Sequence, residues 1–301
     1  MRIGLHLPQF GKSPDDLAMV ARRAEEEGYA TIWVSEHILM PEPAARDSAS
    51  QSAGLRVADL LEPVVSLAYV AAVTKTIRLA TSVLVVPYHN PIHLAKELAT
   101  LDRLCGGRLI VGVGSGWLES EFRALNAPYE KRGPYTDETI RLMRALWASE
   151  SPEFKGEFFT VTGMHFAPIP ARGTIPIWVG GLSRRAVRRA VELGEGWHGS
   201  RLTPDEYAER LKWIREIAAK QGRKLDKFVI SHRVYIGFAD KWTETGGYVR
   251  GILAPPDELA AYLKRFGELG VDELLVTPLG TQGAMEDFLD RFGSQVLPHL
   301  A

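Results

Sequence analysis

The stretch Thr31-Ile-Trp-Val-Ser-Glu-His37 holds the repeating unit of the whole chain. Four apolar or β-branched residues make a short buried strand, and it ends abruptly in a carboxylate and an imidazole. Upstream, Arg2 to Leu7 reads as a first strand. Ser13 then caps a helix with Pro14 at its first position, and Asp15 and Asp16 lie where the dipole favours acids. Glu27-Gly28 closes that helix, because glycine takes the left-handed C-terminal turn readily. The unit is strand, helix, glycine, strand.

The same punctuation recurs along the chain. Cys105-Gly106-Gly107 precedes an apolar run from Arg108 to Val113, Glu192-Leu193-Gly194 precedes Trp197, and Glu268-Leu269-Gly270 precedes Asp272 to Thr277. Repeated βα units imply a parallel sheet with helical crossovers. Strands are predicted at 2–7, 31–35, 77–83, 108–113, 176–180, 196–200, 228–236 and 272–277. Helices are predicted at 14–27, 62–74, 91–104, 134–148, 183–193, 204–220, 256–268 and 284–297. Eight such pairs predict an α/β chain folded as a single (β/α)8 TIM barrel over residues 1–301, with long insertion loops at 38–61, 149–174 and 237–255. No G-x-G-x-x-G follows the first strand, so a dinucleotide-binding sheet is not indicated.

Composition narrows the function. The formal net charge of −1 leaves no electrostatic footprint for nucleic acid or an anionic membrane. The single cysteine, Cys105, excludes an internal disulfide and a Cys-rich zinc site. No signal peptide is read at the N-terminus, and no apolar run approaches the ~20 residues that span a bilayer. A soluble, cytoplasmic protein with a small-molecule substrate is expected.

Barrel enzymes keep their chemistry at the C-terminal strand tips. Glu36 and His37 occupy such a tip and are the candidate catalytic pair, a helix cap or a structural hydrogen bond being the bland alternative. Thr81 and Ser82 are small polar residues in an apolar strand that runs into Tyr88-His89-Asn90-Pro91. They either face a partly wet interior or, with Val83, wall a flat ligand. Gly112-Val-Gly-Ser-Gly-Trp117 follows the fourth strand; Gly114, Ser115 and Gly116 make either a tight turn or a close backbone approach to a ligand. At Gly180-Gly181-Leu182-Ser183-Arg184, a strand ends ahead of a capped helix; this is either an anion site suited to phosphate, to which Arg184 and Arg185 could add charge, or an ordinary capped helix with a solvated basic face. His6 and His198 also lie near strand tips, but no convergent ligand set accompanies them, and no metal site is expected. His232 falls early in its strand and reads as structural. His89, His93, His165 and His299 read as solvated or capping. No G-x-S-x-G elbow and no pair of strand-tip acids of glycosidase type is present.

Taken in order, Ile3-Gly-Leu-His-Leu-Pro-Gln9, Ala24 to His37, Ile77 to Pro87, Asn90-Pro91, Gly107 to Trp117, Pro176 to Gly181 and the closing Pro256 to Leu275 resemble the luciferase-like monooxygenase superfamily. The chain is most similar to its coenzyme F420-dependent oxidoreductase branch. The resemblance implies a deazaflavin ring at the barrel mouth, against a third-strand bulge whose non-proline cis peptide would be Ser82–Val83. Gly114, Ser115 and Gly116 would flank the ring, and Gly180, Gly181 and Ser183 would hold the cofactor phosphate. His37 would move a proton, which suits an imidazole at neutral pH, and Glu36 would orient it or contact the ring. His6, Trp117 and His198 would line the substrate pocket. The branch's sugar-phosphate dehydrogenases carry a glutamate where this chain has Trp117, which implies a more apolar substrate unless Glu119 or Glu121 takes its place. The resemblance also implies a homodimer. An FMN-dependent monooxygenase, or a flavin-binding protein without turnover, would share most of these features.

Overall fold

Thr31–Val34 forms strand β2 of the computed structural model with all four residues buried, as a strand covered on both faces requires. The structure describes residues 1–9, 13–41, 60–246, 250–279 and 285–300. Its other strands are β1 (Arg2–His6), β3 (Arg78–Thr81), β4 (Leu84–Val85), β5 (Leu109–Gly114), β6 (Phe154–Lys155), β7 (Thr160–Val161), β8 (Ile177–Gly180), β9 (Gly196–Ser200), β10 (Val229–Phe238), β11 (Thr243–Glu244), β12 (Ile252–Ala254) and β13 (Glu273–Pro278). The α-helices are α1 (Pro14–Glu26), α2 (Pro63–Val73), α3 (Pro91–Leu104), α4 (Glu119–Ala124), α5 (Arg132–Ala148), α6 (Arg184–Leu193), α7 (Pro204–Gln221), α8 (Pro256–Glu268) and α9 (Met285–Gln295).

Eight parallel strands close on themselves in the order β1, β2, β3, β5, β8, β9, β10, β13 and back to β1. Ile3 pairs with Leu274 on one side, and Gly4 with Thr31 on the other. This is the predicted (β/α)8 barrel, and each predicted strand and helix has a counterpart. Ser13 caps α1 as expected, in a reciprocal capping box with Asp16, and Thr203 and Glu206 form another such box at α7.

The main core lies between the barrel wall and the helices, from Leu5, Ile32, Leu79 and Val111 outward to Leu67, Leu98 and Val187. A second cluster of Trp33, Ala80, Ile110, Trp178 and Leu275 fills the barrel interior near the N-terminal strand ends. Trp33 donates from Nε1 to the fully buried Glu273 at 3.2 Å, and Arg2 and Arg78 engage the other oxygen of that carboxylate. The lower barrel is therefore packed solid, and space is left at the catalytic end.

Four local features differ from, or refine, the sequence reading. The predicted strand 77–83 breaks after Thr81; the Ser82–Val83 peptide is cis, and the chain resumes as β4 beside β5. Helix α4 was not predicted. The loop 237–255 contains β11 and β12, and β12 extends the sheet in parallel with the end of β10, Ile236 opposite Ile252. The loop 149–174 forms the short hairpin β6–β7, and although it leaves from the N-terminal face, it climbs back. Glu138, in the second turn of α5, accepts backbone N–H groups of Glu157, Phe158 and Phe159, and Tyr135 packs on both phenylalanine rings. Most of the loop 38–61 lies outside the described residues. Among the described residues, no helix is long and apolar enough to cross a membrane.

Candidate active site

A cavity of about 770 Å³ opens at the C-terminal tips of the strands, a size that suits a cofactor ring together with a small substrate. Most residues singled out from the sequence line it: His6, Glu36, His37, Ser82, Val83, Gly114, Ser115, Gly116, Trp117, Gly180, Gly181, Leu182, Ser183 and His198. Thr81 and Arg184 do not. Thr81 is fully buried, with its hydroxyl spent on the Gly112 carbonyl at 2.8 Å. Strand alternation turns it away from the face that Ser82 and Val83 occupy. Arg184 lies on the solvent face of α6, ion-paired with Glu216 at 2.6 Å and stacked over Trp213. Its helical position aims it at α7 rather than at the cavity.

The wall of the cavity at β3, β5 and β8 is built around Val83. A Cβ at Gly114 would lie 2.8 Å from Val83 Cγ2, and one at Gly180 would lie 2.9 Å from Val83 Cγ1. A Cβ at Gly112 would fall on the Thr81 carbonyl oxygen. The strand-tip glycines therefore make room for the protein's own bulge, and the bulge presents an apolar isopropyl group to the cavity. Beside this wall, Ser183 caps α6 by accepting from Ala186 N–H. Arg189 of α6 donates to the Gly133 carbonyl at 3.1 Å, which ties the start of α5 to the middle of α6, and the adjacent Arg132 lines the cavity.

Beneath the cavity runs a polar network with few carboxylates. Arg233 donates to Ser35 Oγ at 2.8 Å and to Thr277 Oγ1 at 2.9 Å. His6 is bonded to Ser35, and His198 to both Ser82 and Ser231. His198 also stacks on Trp33 with ring centroids 4.7 Å apart. Burial, and secondarily the Arg233 charge, push both imidazoles well below their ordinary pKa. Both imidazoles are placed as hydrogen-bonding groups beneath the cavity. His232 is fully buried against the Leu202 carbonyl, and burial lowers it to about 3.

The adjacent acid and imidazole at the tip of β2 do not bond to each other. Glu36 accepts Val85 N–H at 2.5 Å and pairs with His89 Nε2 at 2.7 Å. Burial lowers the His89 pKa, but the bond to Glu36 and its charge outweigh this, and the net shift is upward. Glu36 thus holds β4 and His89 and makes no bond to His37, so it does not orient that ring; it does line the cavity, where contact with the cofactor ring was its other expected role. His37 is bonded instead through Nδ1 to Glu121 Oε2 at 2.9 Å, and the Trp117 ring meets it edge-on at 6.0 Å. Two residues therefore have partners that the sequence did not show: His89, read as solvated or capping, and Glu121, on the unpredicted helix α4. Arg132, Arg201 and Arg233 also line the cavity and carried no sequence signal. Among the described residues, no group of three His, Cys, Asp or Glu could hold a metal ion.

The chain matches the family described as luciferase-like monooxygenase over residues 1–276. It is 33% identical over 265 residues to an uncharacterized protein of Mycobacterium tuberculosis, covering 86% of this chain and 85% of that one. It is 26% identical over 335 residues to the F420-dependent glucose-6-phosphate dehydrogenase of Amycolatopsis mediterranei, covering 97% and 96%. Among solved structures, an F420-dependent secondary alcohol dehydrogenase in complex with an F420-acetone adduct superposes with a TM-score of 0.82 at 19% identity, covering 100% of this chain and 99% of that one.

Proposed function

The chain belongs to the luciferase-like monooxygenase family and is an oxidoreductase, and from that premise we propose that it uses coenzyme F420 to oxidise or reduce a fairly apolar small molecule. The observation that carries this reading is His37. Its Nδ1 is tied up inside the protein, and Nε2, with no partner among the described residues, is left for the cavity the ring lines. The full-length likeness to an F420-dependent dehydrogenase favours F420 over FMN.

The residues fit such a group. Val83 offers an apolar plate for a flat ring, flush with the strand tips because Gly114 and Gly180 have no side chain. The backbone at Gly181 to Ser183 and the start of α6 suit a phosphate, and Arg132 beside them suits a phosphate or an acidic tail. When bound, the deazaflavin supplies a hydride acceptor or donor. In substrate oxidation, His37 Nε2 takes the proton of the substrate hydroxyl; in reduction, it returns one to the carbonyl oxygen. Trp117, Leu60, Leu279 and Met285 line the remaining space and exclude water around an apolar substrate.

A parallel titration of the purified protein with F420 and FMN tests the cofactor. Saturable F420 binding, with FMN at least tenfold weaker, is expected. Tight FMN binding with none of F420 would return the protein to the flavin monooxygenases.

The same reading includes a homodimer. Helix α2 carries no charged residue, and Val65 is 69% exposed on its outer side, flanked by Leu61 and Tyr69. Sedimentation should give a dimer for the wild type and a monomer for Val65→Glu; a monomeric wild type would refute it.

A further inference from the structure

Resting on the proposed role of His37, we infer that Glu121 is its positioning residue: the carboxylate holds the imidazole with Nδ1 as donor, keeps Nε2 for the cavity, and supplies the counter-charge when the ring is protonated. Glu121 sits on the six-residue helix α4 and is 1% exposed. Both of its oxygens are fully engaged. Oε1 accepts Ile38 N–H at 2.6 Å and Leu39 N–H at 3.0 Å, and Oε2 accepts Tyr88 O–H at 2.9 Å beside its bond to His37. Burial raises the Glu121 carboxyl, but the bond to His37, its charge and the two backbone donors outweigh this and leave it below the ordinary value.

An ionised carboxylate only accepts, so the nitrogen that meets it must carry the proton. His37 Nδ1 is therefore the N–H of the neutral ring, and Nε2 bears the lone pair. That tautomer is the one a base at Nε2 needs. Glu36 does not take this part: its carboxylate bonds Val85 N–H and His89, and makes no bond to His37. Among the described residues, the titratable groups on the segments around His37 are Glu121 on α4, Tyr88 and His89 after β4 and Glu36 on its own strand tip, with Arg132 in the same cavity lining.

The competing role is a clamp, in which Glu121 only secures the backbone at Ile38 and Leu39. Glu121→Gln separates the two. Its amide oxygen can still accept those N–H groups, while its amide nitrogen, a donor, turns toward His37 and demands the opposite tautomer. Long-range 15N–1H spectra of histidine-labelled free protein read the tautomer without any substrate, with His37→Ala assigning the signal. With the ring neutral, the wild type should show the Nδ1–H form, and Glu121→Gln the Nε2–H form. An Nε2–H signature in the wild type would overturn the inference, and needs no variant to fold.

Kinetics separate this inference from the reading beneath it. Glu121→Gln should lower kcat about 10²-fold, leave KM and F420 affinity within about twofold, and have no further effect in the His37→Ala background. A fully active Glu121→Gln beside an inactive His37→Ala sinks the positioning role alone, as do losses that simply add. A fully active His37→Ala sinks the proton-transfer reading itself.

Discussion

Replacing His37 by alanine should lower turnover by about 10²–10⁴-fold while F420 binds as tightly as to the wild type, the range a positioned acid–base group contributes. The separation is expected because His37 shares nothing with the wall proposed for the ring. Val83 and the strand-tip glycines belong to β3, β5 and β8. The imidazole, 13% exposed, belongs to the tip of β2 and is held from α4. The variant leaves Glu121 with its two backbone donors and Tyr88, so the loop stays in place. Fluorescence titration of F420, set beside steady-state turnover, checks the prediction. Equal losses of binding and turnover would make His37 part of the cofactor site instead.

The second large effect concerns stability. Gly112→Ala should cost about 3 kcal/mol or more, at the severe end of overpacking. The new methyl group would meet the Thr81 carbonyl oxygen, which is backbone and cannot rotate away. Neither strand can retreat: β5 pairs with β3 at Leu79 and Ala80, and with β8 at Ile177 to Val179. Denaturant unfolding measures the loss. Gly246→Ala, where a Cβ would meet nothing within 4 Å, is the control and should be nearly neutral. If the two variants unfold at the same denaturant concentration, the packing account of the bulge is wrong. Because Thr81 adjoins Ser82–Val83, F420 affinity should fall in Gly112→Ala along with stability.

These predictions draw on different parts of what could be read before the fold was known. The barrel was legible because its signals are local. A cap such as Ser13 with Asp16, a glycine such as Gly28 and a run such as Thr31–Val34 each act within one or two turns of chain, and eight repeats of that grammar admit few closures. The strand tips were legible for the same reason, and most of the residues chosen there line the cavity. The errors were of direction. Thr81 and Ser82 are neighbours, yet one faces the wall and the other the cavity. Arg184 starts the right helix but points to its outside. The glycines at the tip of β5 were read as a tight turn or a close approach to a ligand, and at Gly114 and Gly180 the nearest side chain is Val83.

By itself, then, the sequence determined the element order, the closed parallel sheet and the end of it at which Glu36 and His37 emerge, since hydrophobic periodicity and caps are properties of adjacent residues. Only the tertiary structure decided what those two residues do. Glu36 finds His89, 53 positions away, and His37 finds Glu121, 84 positions away. Neither pairing leaves a trace in local pattern, because it is set by where two connections after β3 and β5 come to rest over the barrel mouth. The adjacent acid and imidazole that looked like one pair are two, and the carboxylate bonded to the imidazole comes from a helix that the sequence did not announce.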